Sequence, residues 1–389
     1  MRKLFGVMCI CLTVMGVSCT QKTGTGNGGS SLLVCEYADL SGKEKELRLS
    51  DFVEDCRVVR FENADNAYFK GSIVATENYL FVKQGRGNPC KLFDKEGHYL
   101  CDVGGVGNGP GEYYQFFYDV AIDENGKRIF LAPFTDTKIM VYGMDGKWIK
   151  DIPVPIEGKI NKPKIRLNED GTLTVVHMPM WVNPNAPAVF CMDMDGNLVK
   201  QVPVREDMQV RNFDGEVLAD HNTGQMEFQH TTFGFPPRAS NDTLFSYDAA
   251  TNQLSSKFVL NFPDPEKSPL HYYVSIPQGI FVKCYGLDER TNKFVEFEYY
   301  FIDRKTGKGG RFHMVNDFYG DLLIASAMDF FQQGYYVECF EPYELQEKIE
   351  EHLSSGDCPK GEVEKLKVLS ASLHEEDNNV LFIGKLKQP

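Results

Sequence analysis

Short apolar runs dominate the chain from about residue 33 onward. Runs such as KRIFLAP, TKIMVYG, TLTVVHM and KFVLNF are rich in β-branched and aromatic residues and are bounded by Gly, Asn, Asp and Pro. This pattern is typical of β-strands, and almost no helical periodicity precedes residue 340. Asp-Gly and Asn-Gly pairs, as in MDGKWI, DMDGNLV and DENGKRI, tolerate the positive φ of hairpin turns. The pattern therefore predicts an all-β protein.

One design recurs along the chain. Each copy contains the end of an apolar strand, a turn and the beginning of another strand. The copies are KLFDKEGHYL, MVYGMDGKWI, FCMDMDGNLV, LFSYDAATNQL and YFIDRKTGKGG. Aligned on Asp94, Gly143, Asp193, Asp248 and Asp303, they are 49, 50, 55 and 55 residues apart. A unit of this length, with about four strands, is typical of a β-propeller blade.

The number of blades follows from the chain length. Five units are marked, and residues 317–389 have room for a sixth. We therefore predict a six-bladed β-propeller of four-stranded antiparallel blades. A strand in DCRVVRFE, at 55–62, precedes the first complete repeat, and another in NNVLFIGKLK lies at the C-terminus. We expect these two strands to share one blade and close the ring, because an open ring would expose unpaired strand edges.

A short helical insert is predicted in the last blade, at about 342–373. In EPYELQEKIEEHLSS, Pro342 suits a first helical turn, and Leu345, Ile349 and Leu353 recur on one face. A second short helix is predicted within KGEVEKLKVLSASL.

The segment GGVGNGPGEYYQ, residues 104–115, raises the question of a phosphate loop. A dinucleotide fingerprint that begins at Gly105 and Gly107 would need glycine where Pro110 stands, and no Walker lysine is present. No helical pattern follows that could hold a phosphate at its N-terminus. Two further strands follow instead. We therefore expect the glycines to carry the chain from one blade to the next with positive φ, while Pro110 stiffens the path.

The N-terminus predicts export. Two basic residues precede LFGVMCICLTVMGVS, an uncharged and mostly apolar run that is too short to span a membrane. This start resembles a bacterial lipoprotein signal, which implies a signal peptide at 1–18, acylation of Cys19 and a polar tether at 19–32. Gly16 departs from the usual aliphatic residue, so plain secretion is the alternative.

The stretch FDKEGHYLCDVGGVGNGPGEYYQFFYDVAIDENGKRIFLAP resembles an NHL-type propeller repeat. From about residue 33 to 389, the chain resembles a family of six-bladed β-propeller lipoproteins of Gram-negative bacteria. The resemblance implies a structural crossover motif, in which we expect the Glu112 carboxylate to accept hydrogen bonds from backbone N–H groups. The motif residues are Gly107, Gly109, Pro110, Gly111 and Glu112. The weaker repeats after residue 200 and the helical insert depart from the family pattern.

Charge restricts the partners. Removal of residues 1–18 takes away Arg2 and Lys3 and leaves 39 basic and 55 acidic residues, a formal net charge of −16. The basic residues are scattered, so we expect no nucleic-acid partner. We expect a monomer that contacts the membrane only through an N-terminal lipid.

The cysteine pattern favours buried thiols over a disulfide framework. Beyond Cys19 there is no CxxC pair and no zinc spacing. Several cysteines lie in apolar runs, such as AVFCMDM and YYVECF, where a thiol behaves as a small hydrophobe. The one local candidate for a disulfide is Cys90 with Cys101. The eight cysteines are Cys35, Cys56, Cys90, Cys101, Cys191, Cys284, Cys339 and Cys358.

Five residues are candidates for ligand binding. Trp181 lies in the Pro/Asn-rich loop MPMWVNPNAPA, where an exposed aromatic suits stacking, and His177 is close to it. His230 and Arg238 belong to the long irregular stretch HNTGQMEFQHTTFGFPPR, and Tyr272 follows it. Each also has a structural interpretation: a packed aromatic, a hydrogen-bonded core histidine or an ordinary salt bridge.

Two functions remain open. We expect no catalytic residues and no cofactor, since there is no GxSxG and no HExxH motif. The first hypothesis is a lipid-anchored envelope propeller that binds a small ligand or an envelope protein, at the outer membrane and on its periplasmic face. The alternative is a hydrolase or lyase in which histidines and carboxylates at the central channel hold Ca²⁺ or Zn²⁺ and activate water.

Overall fold

Six antiparallel sheets surround a common axis in the part of the chain that the computed structural model describes. The predicted six-bladed propeller of four-stranded blades is therefore confirmed. The described residues are 20–22, 32–40, 42, 44–180, 183, 185–205, 208–209, 215–232, 243–264, 268–288 and 293–388.

The first strands of the chain do not form a blade of their own. They are β1 (Thr20–Lys22), β2 (Leu32–Glu36), β3 (Lys45–Arg48) and β4 (Arg57–Arg60). Strand β2 runs parallel to the outermost strand of blade 4, and β3 runs parallel to the outermost strand of blade 5. Strand β4 completes blade 6. The N-terminal segment thus protects exposed strand edges, which would otherwise pair with other chains.

The first three blades follow in chain order. Blade 1 consists of β5 (Gly71–Ala75), β6 (Tyr79–Gln84), β7 (Cys90–Asp94) and β8 (Tyr99–Val103). The short strands β9 (Gly105–Val106) and β10 (Glu112–Tyr113) lie between blades. Blade 2 consists of β11 (Phe117–Asp123), β12 (Arg128–Pro133), β14 (Lys138–Gly143) and β15 (Trp148–Pro153), and β13 (Thr135–Asp136) pairs with β16 (Ile160–Asn161) beside it. Blade 3 consists of β17 (Lys164–Leu167), β18 (Leu173–Val176), β19 (Pro187–Met192) and β20 (Leu198–Pro203).

The last three blades complete the ring. Blade 4 consists of β21 (Gly215–Asp220), β22 (Met226–Thr232), β23 (Thr243–Asp248) and β24 (Gln253–Asn261). Blade 5 consists of β25 (Leu270–Ile276), β26 (Gly279–Asp288), β27 (Lys293–Asp303) and β28 (Gly309–Asn316), extended by β29 (Leu322–Ile324). Blade 6 consists of β30 (Phe331–Gln332), β31 (Tyr335–Phe340) and β32 (Val380–Lys385), with β4 as its outermost strand.

The five residues used to align the repeats mark one turn, between the third and fourth strands of blades 1 to 5. Four are aspartates, and the carboxylate Oδ1 of each accepts backbone N–H groups of the turn: Asp94, Asp193, Asp248 and Asp303. Each turn also has a residue with positive φ, namely Gly97, Gly146, Gly196, Asn252 or Gly307. The periodicity in the sequence is therefore the periodicity of this turn chemistry.

The described residues form six hydrophobic core clusters, and each lies between two neighbouring blades. For example, Phe81 and Leu92 of blade 1 pack with Val120 and Leu131 of blade 2. The cluster between blades 6 and 1 contains Leu381. Since both faces of every blade are covered in this way, the strands are apolar on both faces.

The two chain ends meet in blade 6. Strand β4 pairs antiparallel with β32, and Arg60 lies opposite Val380 while Val59 lies opposite Leu381. The predicted closure of the ring is confirmed.

Two helices lie between β31 and β32: α1 (Pro342–Ser355) and α2 (Val363–Ala371). Glu341 and Glu344 form a capping box at the start of α1, where Pro342 occupies the first turn. The buried face of α1 presents Leu345 and Ile349 to the cluster between blades 5 and 6.

The glycine-rich segment leads from β8 in blade 1 to β11 in blade 2. The Glu112 carboxylate accepts the backbone N–H of Gly109 at 2.9 Å, and a Cβ on Gly107 would lie 2.1 Å from the same carboxylate. Gly111 has φ +73°, and a Cβ there would lie 2.3 Å from Cβ of Trp148. The glycines thus provide both the conformation and the close approach of the chain.

The expected disulfide between Cys90 and Cys101 is wrong, because both are free thiols. In the register of β7 with β8, Cys90 lies opposite Val103 and Cys101 lies opposite Leu92, so the two thiols are offset by two residues. Cys35 is disulfide-bonded, and the seven other described cysteines are free.

Replacement of Gly111 by alanine tests the crossover. Because the new Cβ would clash with Trp148 at a positive φ, G111A should lower the free energy of unfolding by about 2–4 kcal/mol. The matched control is G361A, since a Cβ on Gly361 meets nothing within 4 Å. Urea unfolding followed by circular dichroism measures both, and an equal stability of the two variants would contradict this account of the crossover.

Candidate binding site at the propeller axis

A narrow passage follows the axis of the propeller. Its volume is about 60 Å³, and blades 1, 2, 3, 4 and 6 contribute to its wall. The polar residues of this wall are Lys83, Asp119, Lys164, Asp220, His221, Gln332 and Gln333.

A wider cavity of about 400 Å³ lies beside the passage, between blades 3, 4, 5 and 6. The two spaces share Lys164, Ala219, Asp220 and Gln332 in their walls and are therefore adjacent. We call the wider space the mouth cavity. Its size is typical of a small-molecule site. Its apolar wall residues are Leu218, Ala219, Leu244, Val274, Met328 and Phe331, and its polar and aromatic ones are Lys164, Glu216, Asp220, Glu227, Tyr272, Tyr273, Ser275, Lys283, Tyr285, Asp329 and Gln332.

A tight turn of blade 6 crosses the axis and narrows the passage. Gln333 and Gly334 connect β30 to β31 with φ values of +50° and +84°. The Gln332 side chain donates to the carbonyl oxygen of Ile73 in blade 1 at 2.8 Å, and that of Gln333 donates to Val120 in blade 2 at 3.3 Å. Three blades are thus fixed to one another at this point of the axis.

Asp220 holds the same turn from the opposite side. Its carboxylate accepts the backbone N–H of Gln333 at 3.2 Å and that of Asn222 at 2.6 Å. Burial raises the pKa of Asp220 to about 7, and these hydrogen bonds only partly oppose that effect. Blade 4 is therefore joined to blade 6 by a carboxyl group that titrates near neutral pH.

The passage also contains two half-buried lysines. Lys83 donates to the carbonyl oxygen of Tyr118 at 3.0 Å. Burial, assisted by the charge of Lys164, lowers the pKa of Lys83 to about 8. The ammonium of Lys164 lies 4.8 Å from the ring centre of Tyr118 and has no ion-pair partner among the described residues. Lys164 thus brings an ammonium group without an ion pair among the described residues to the wall that the passage and the mouth cavity share.

Two other acids of the mouth cavity are paired with lysines. Glu216 lies 3.5 Å from Lys162, and burial raises the pKa of Glu216 to about 7. Asp329 lies 3.0 Å from Lys283. Burial lowers the pKa of the Lys283 ammonium, but the contacts with Tyr285 and Asp329 outweigh burial, so the pKa is raised above its ordinary value.

Glu227 differs from these acids. It is 5% exposed, and its Oε2 has no hydrogen-bond partner among the described residues. Two positions further along β22, Gln229 uses both ends of its amide: it donates to the carbonyl oxygen of His271 at 3.3 Å and accepts the N–H of Tyr273 at 3.2 Å. Since a buried carboxylate oxygen without a partner is costly, Glu227 marks a place where a group from outside the protein would be stabilising.

Two tyrosines provide aromatic surface in the same wall. The rings of Tyr272 and Tyr285 lie 5.5 Å apart at an interplanar angle of 73°, and the Lys283 ammonium lies 5.1 Å from the ring centre of Tyr285. Of the five ligand-binding residues predicted from the sequence, Tyr272 is the one that lies in this wall.

The two predicted histidines lie elsewhere, in the core between blades 3 and 4. Each is 1% exposed: Nε2 of His177 contacts the carbonyl oxygen of Pro187 at 3.0 Å, and Nε2 of His230 contacts that of His177 at 3.1 Å. Burial lowers the pKa of both to about 4. At neutral pH they are uncharged residues of the core. Trp181 and Arg238 lie outside the described residues.

The described residues bring no three side chains of His, Cys, Asp or Glu together in a way that could hold a metal ion. The ring of ligands that the alternative function needs is therefore not found in this part of the chain. In the same part, no helix is long and apolar enough to cross a membrane.

Sequence reasoning overlooked Lys83, Lys283 and Glu227. Each interrupts an apolar strand, in YLFVKQ, GIFVKCYG and MEFQHTT. A charge at such a position must be buried or face the axis, and that signal could have indicated these residues.

A closed ring of six four-stranded blades with a polar passage and a ligand-sized cavity at its axis defines a six-bladed β-propeller with an axial pocket. The chain belongs to the family DUF4934, described as a domain of unknown function, which matches residues 33–385.

The chain is also similar to solved structures of low sequence identity. A "putative exported protein" of Bacteroides fragilis is 15% identical, covers 91% of this chain and 99% of its own, and superposes with a TM-score of 0.57. A member of the DUF4221 family from Bacteroides vulgatus is 11% identical, with coverages of 87% and 98% and a TM-score of 0.45. A comparison with curated proteins gives no match. At 15% identity, the likeness to the Bacteroides fragilis protein concerns the fold alone.

A change of Asp220 to asparagine tests the contact between blades 4 and 6. Folded Asp220 keeps its proton up to about pH 7, whereas the ordinary value is 3.8. Its contribution to stability is therefore complete below about pH 4 and is lost as the pH rises towards 7. Relative to D220N, the wild type should lose at most about 1.4 kcal/mol of unfolding free energy per pH unit in this interval.

Urea unfolding at pH 4.5, 5.5, 6.5 and 7.5 measures this difference. The exposed carboxyl of Asp357 provides the control variant D357N, whose stability should follow that of the wild type. Parallel pH profiles for D220N and the wild type would show that Asp220 does not titrate as a buried group.

Proposed function

We propose that this protein is an exported, lipid-anchored β-propeller that binds a small ligand in the mouth cavity. The observation that carries the proposal is the nearly buried Glu227, whose Oε2 lacks a partner among the described residues in the wall of a 400 Å³ cavity. Apolar and aromatic surface with a few convergent polar groups is the usual composition of such sites.

Several features favour binding over catalysis in this cavity. Glu216 and Asp329 are already paired with lysines, and Asp220 accepts backbone N–H groups. These groups hold the wall in place. Glu227 and Lys164 form no ion pair among the described residues, and aromatic rings line the same wall; these groups suit recognition by charge and stacking.

The path of the chain supports a lipid anchor that leaves the cavity accessible. Within the predicted tether, β1 pairs antiparallel with β2, and β2 runs along β24, with Leu33 opposite Phe258. Because β24 is the fourth and outermost strand of blade 4 itself, the tether would join the ring at its rim. Acylation of Cys19 and a position on the periplasmic face of the outer membrane are part of this proposal.

A protein partner is a second candidate, because one apolar position recurs on the rim. The second residue of the fourth strand is Leu100 in blade 1, Ile149 in blade 2 and Val199 in blade 3, and these side chains are 45%, 49% and 46% exposed. Exposed apolar residues at equivalent positions of three consecutive blades form a row that a protein could cover.

Filling the mouth cavity should abolish ligand binding. In L218W, the new indole would occupy space beside β21, while the matched variant L323W adds the same side chain at an exposed position of β29. A thermal-shift screen of amino acids, dipeptides, monosaccharides and disaccharides should give compounds that stabilise the wild type and L323W but not L218W. Compounds that stabilise all three proteins equally would place binding outside this cavity.

A further inference from the structure

We infer that the ligand of the mouth cavity carries both a protonated amine and a carboxylate, as a free amino acid or a short peptide with an unblocked N-terminus does. The inference rests on the proposed ligand-binding function and names the chemical class of the ligand. It depends on two wall residues that form no ion pair among the described residues, Glu227 and Lys164.

The amine is inferred from Glu227. A carboxylate that is 5% exposed has lost almost all of its hydration, and its Oε2 has no hydrogen bond among the described residues in return. A hydroxyl group of a sugar would satisfy one lone pair but would leave the charge uncompensated. An ammonium group supplies the hydrogen bond and the opposite charge together, so it offsets more of the cost of burial.

The carboxylate is inferred from Lys164. Its ammonium contacts the face of Tyr118 but has no ion pair among the described residues, whereas Lys283 in the same wall is bound to Asp329. Lys83 adds a second positive charge at the inner end, and the effect of Lys164 on the Lys83 pKa shows that the two charges influence each other. An anionic group of the ligand would relieve this repulsion.

The remainder of the wall fits the side chain of such a ligand. Tyr272 and Tyr285 present aromatic surface, and Leu218, Val274 and Met328 are apolar. Amine, carboxylate and side chain would thus each have a matching part of the wall. A volume of about 400 Å³ has room for one amino acid or a dipeptide.

Isothermal titration calorimetry with the full mature protein at pH 7.5 tests the inference. The probes are the twenty L-amino acids and a set of dipeptides, their N-acetyl and C-amide derivatives, and the neutral disaccharides maltose and cellobiose. We expect at least one amino acid or dipeptide to bind, with a loss of about tenfold or more on N-acetylation and on C-amidation.

The variant E227Q separates recognition from packing, since glutamine keeps the shape of the side chain and removes its charge. E227Q should weaken the binding of the amino acid or dipeptide that carries a free amine about tenfold or more, while the variant E376Q, changed at an exposed position, should bind it as the wild type does. Without ligand, E227Q should unfold at a higher temperature than the wild type, because an uncompensated charge is removed. K164M should weaken the binding of the amino acid or dipeptide with a free carboxylate, but should leave the affinity for its C-amide derivative unchanged.

The other possible results would overturn the ligand class alone, or the ligand class together with the ligand-binding function. Binding of a disaccharide with no amine probe bound would retain the ligand-binding function and overturn the ligand class, as would equal affinities of E227Q and the wild type. If no probe binds to the wild type, both claims fail. A lower unfolding temperature for E227Q would make Glu227 a structural residue of blade 4.

Discussion

The pairing of β4 with β32 is the constraint on which the remaining structure depends. It joins residues from the two ends of the chain in one blade, and it covers the last open side of the ring. Because each core cluster lies between two blades, none of the blades has a complete core of its own. Closure therefore stabilises the whole ring at once and fixes the distances across the axis, where the passage and the mouth cavity lie.

The axis concentrates polar groups that a protein core would otherwise exclude. The turn of blade 6 uses Gln332 and Gln333 to satisfy carbonyl groups of blades 1 and 2, and Asp220 of blade 4 accepts its N–H. These hydrogen bonds satisfy backbone polar groups at the inner ends of the strands. Glu227 and Lys164 differ from the other charged residues of the cavity wall because neither forms an ion pair among the described residues.

The sequence was most informative where structure is local. The aspartate turns and the helices each have a signal within about ten residues, such as Asp94 with Gly97 or Pro342 with Glu344. The blade count and the closure followed from the regular spacing of those turns and from the length of the chain. The cavity has no such signal, because its wall is assembled from four blades that are far apart in sequence. Tyr272 was predicted and lies in the wall, whereas His177 and His230 belong to the core. Blades 4 and 5, whose repeats are weakest, contribute most of the wall, which fits the expectation that local rules are broken at functional sites.

Amide hydrogen exchange of the native protein tests the closure most directly. If β4 completes blade 6, the amide of Val59, which points towards β32 in this register, should exchange as slowly as that of Leu381 opposite it, and both should open together as denaturant is added. Rapid and independent exchange of the Val59 amide, with β32 still protected, would contradict a ring closed by the two ends of the chain.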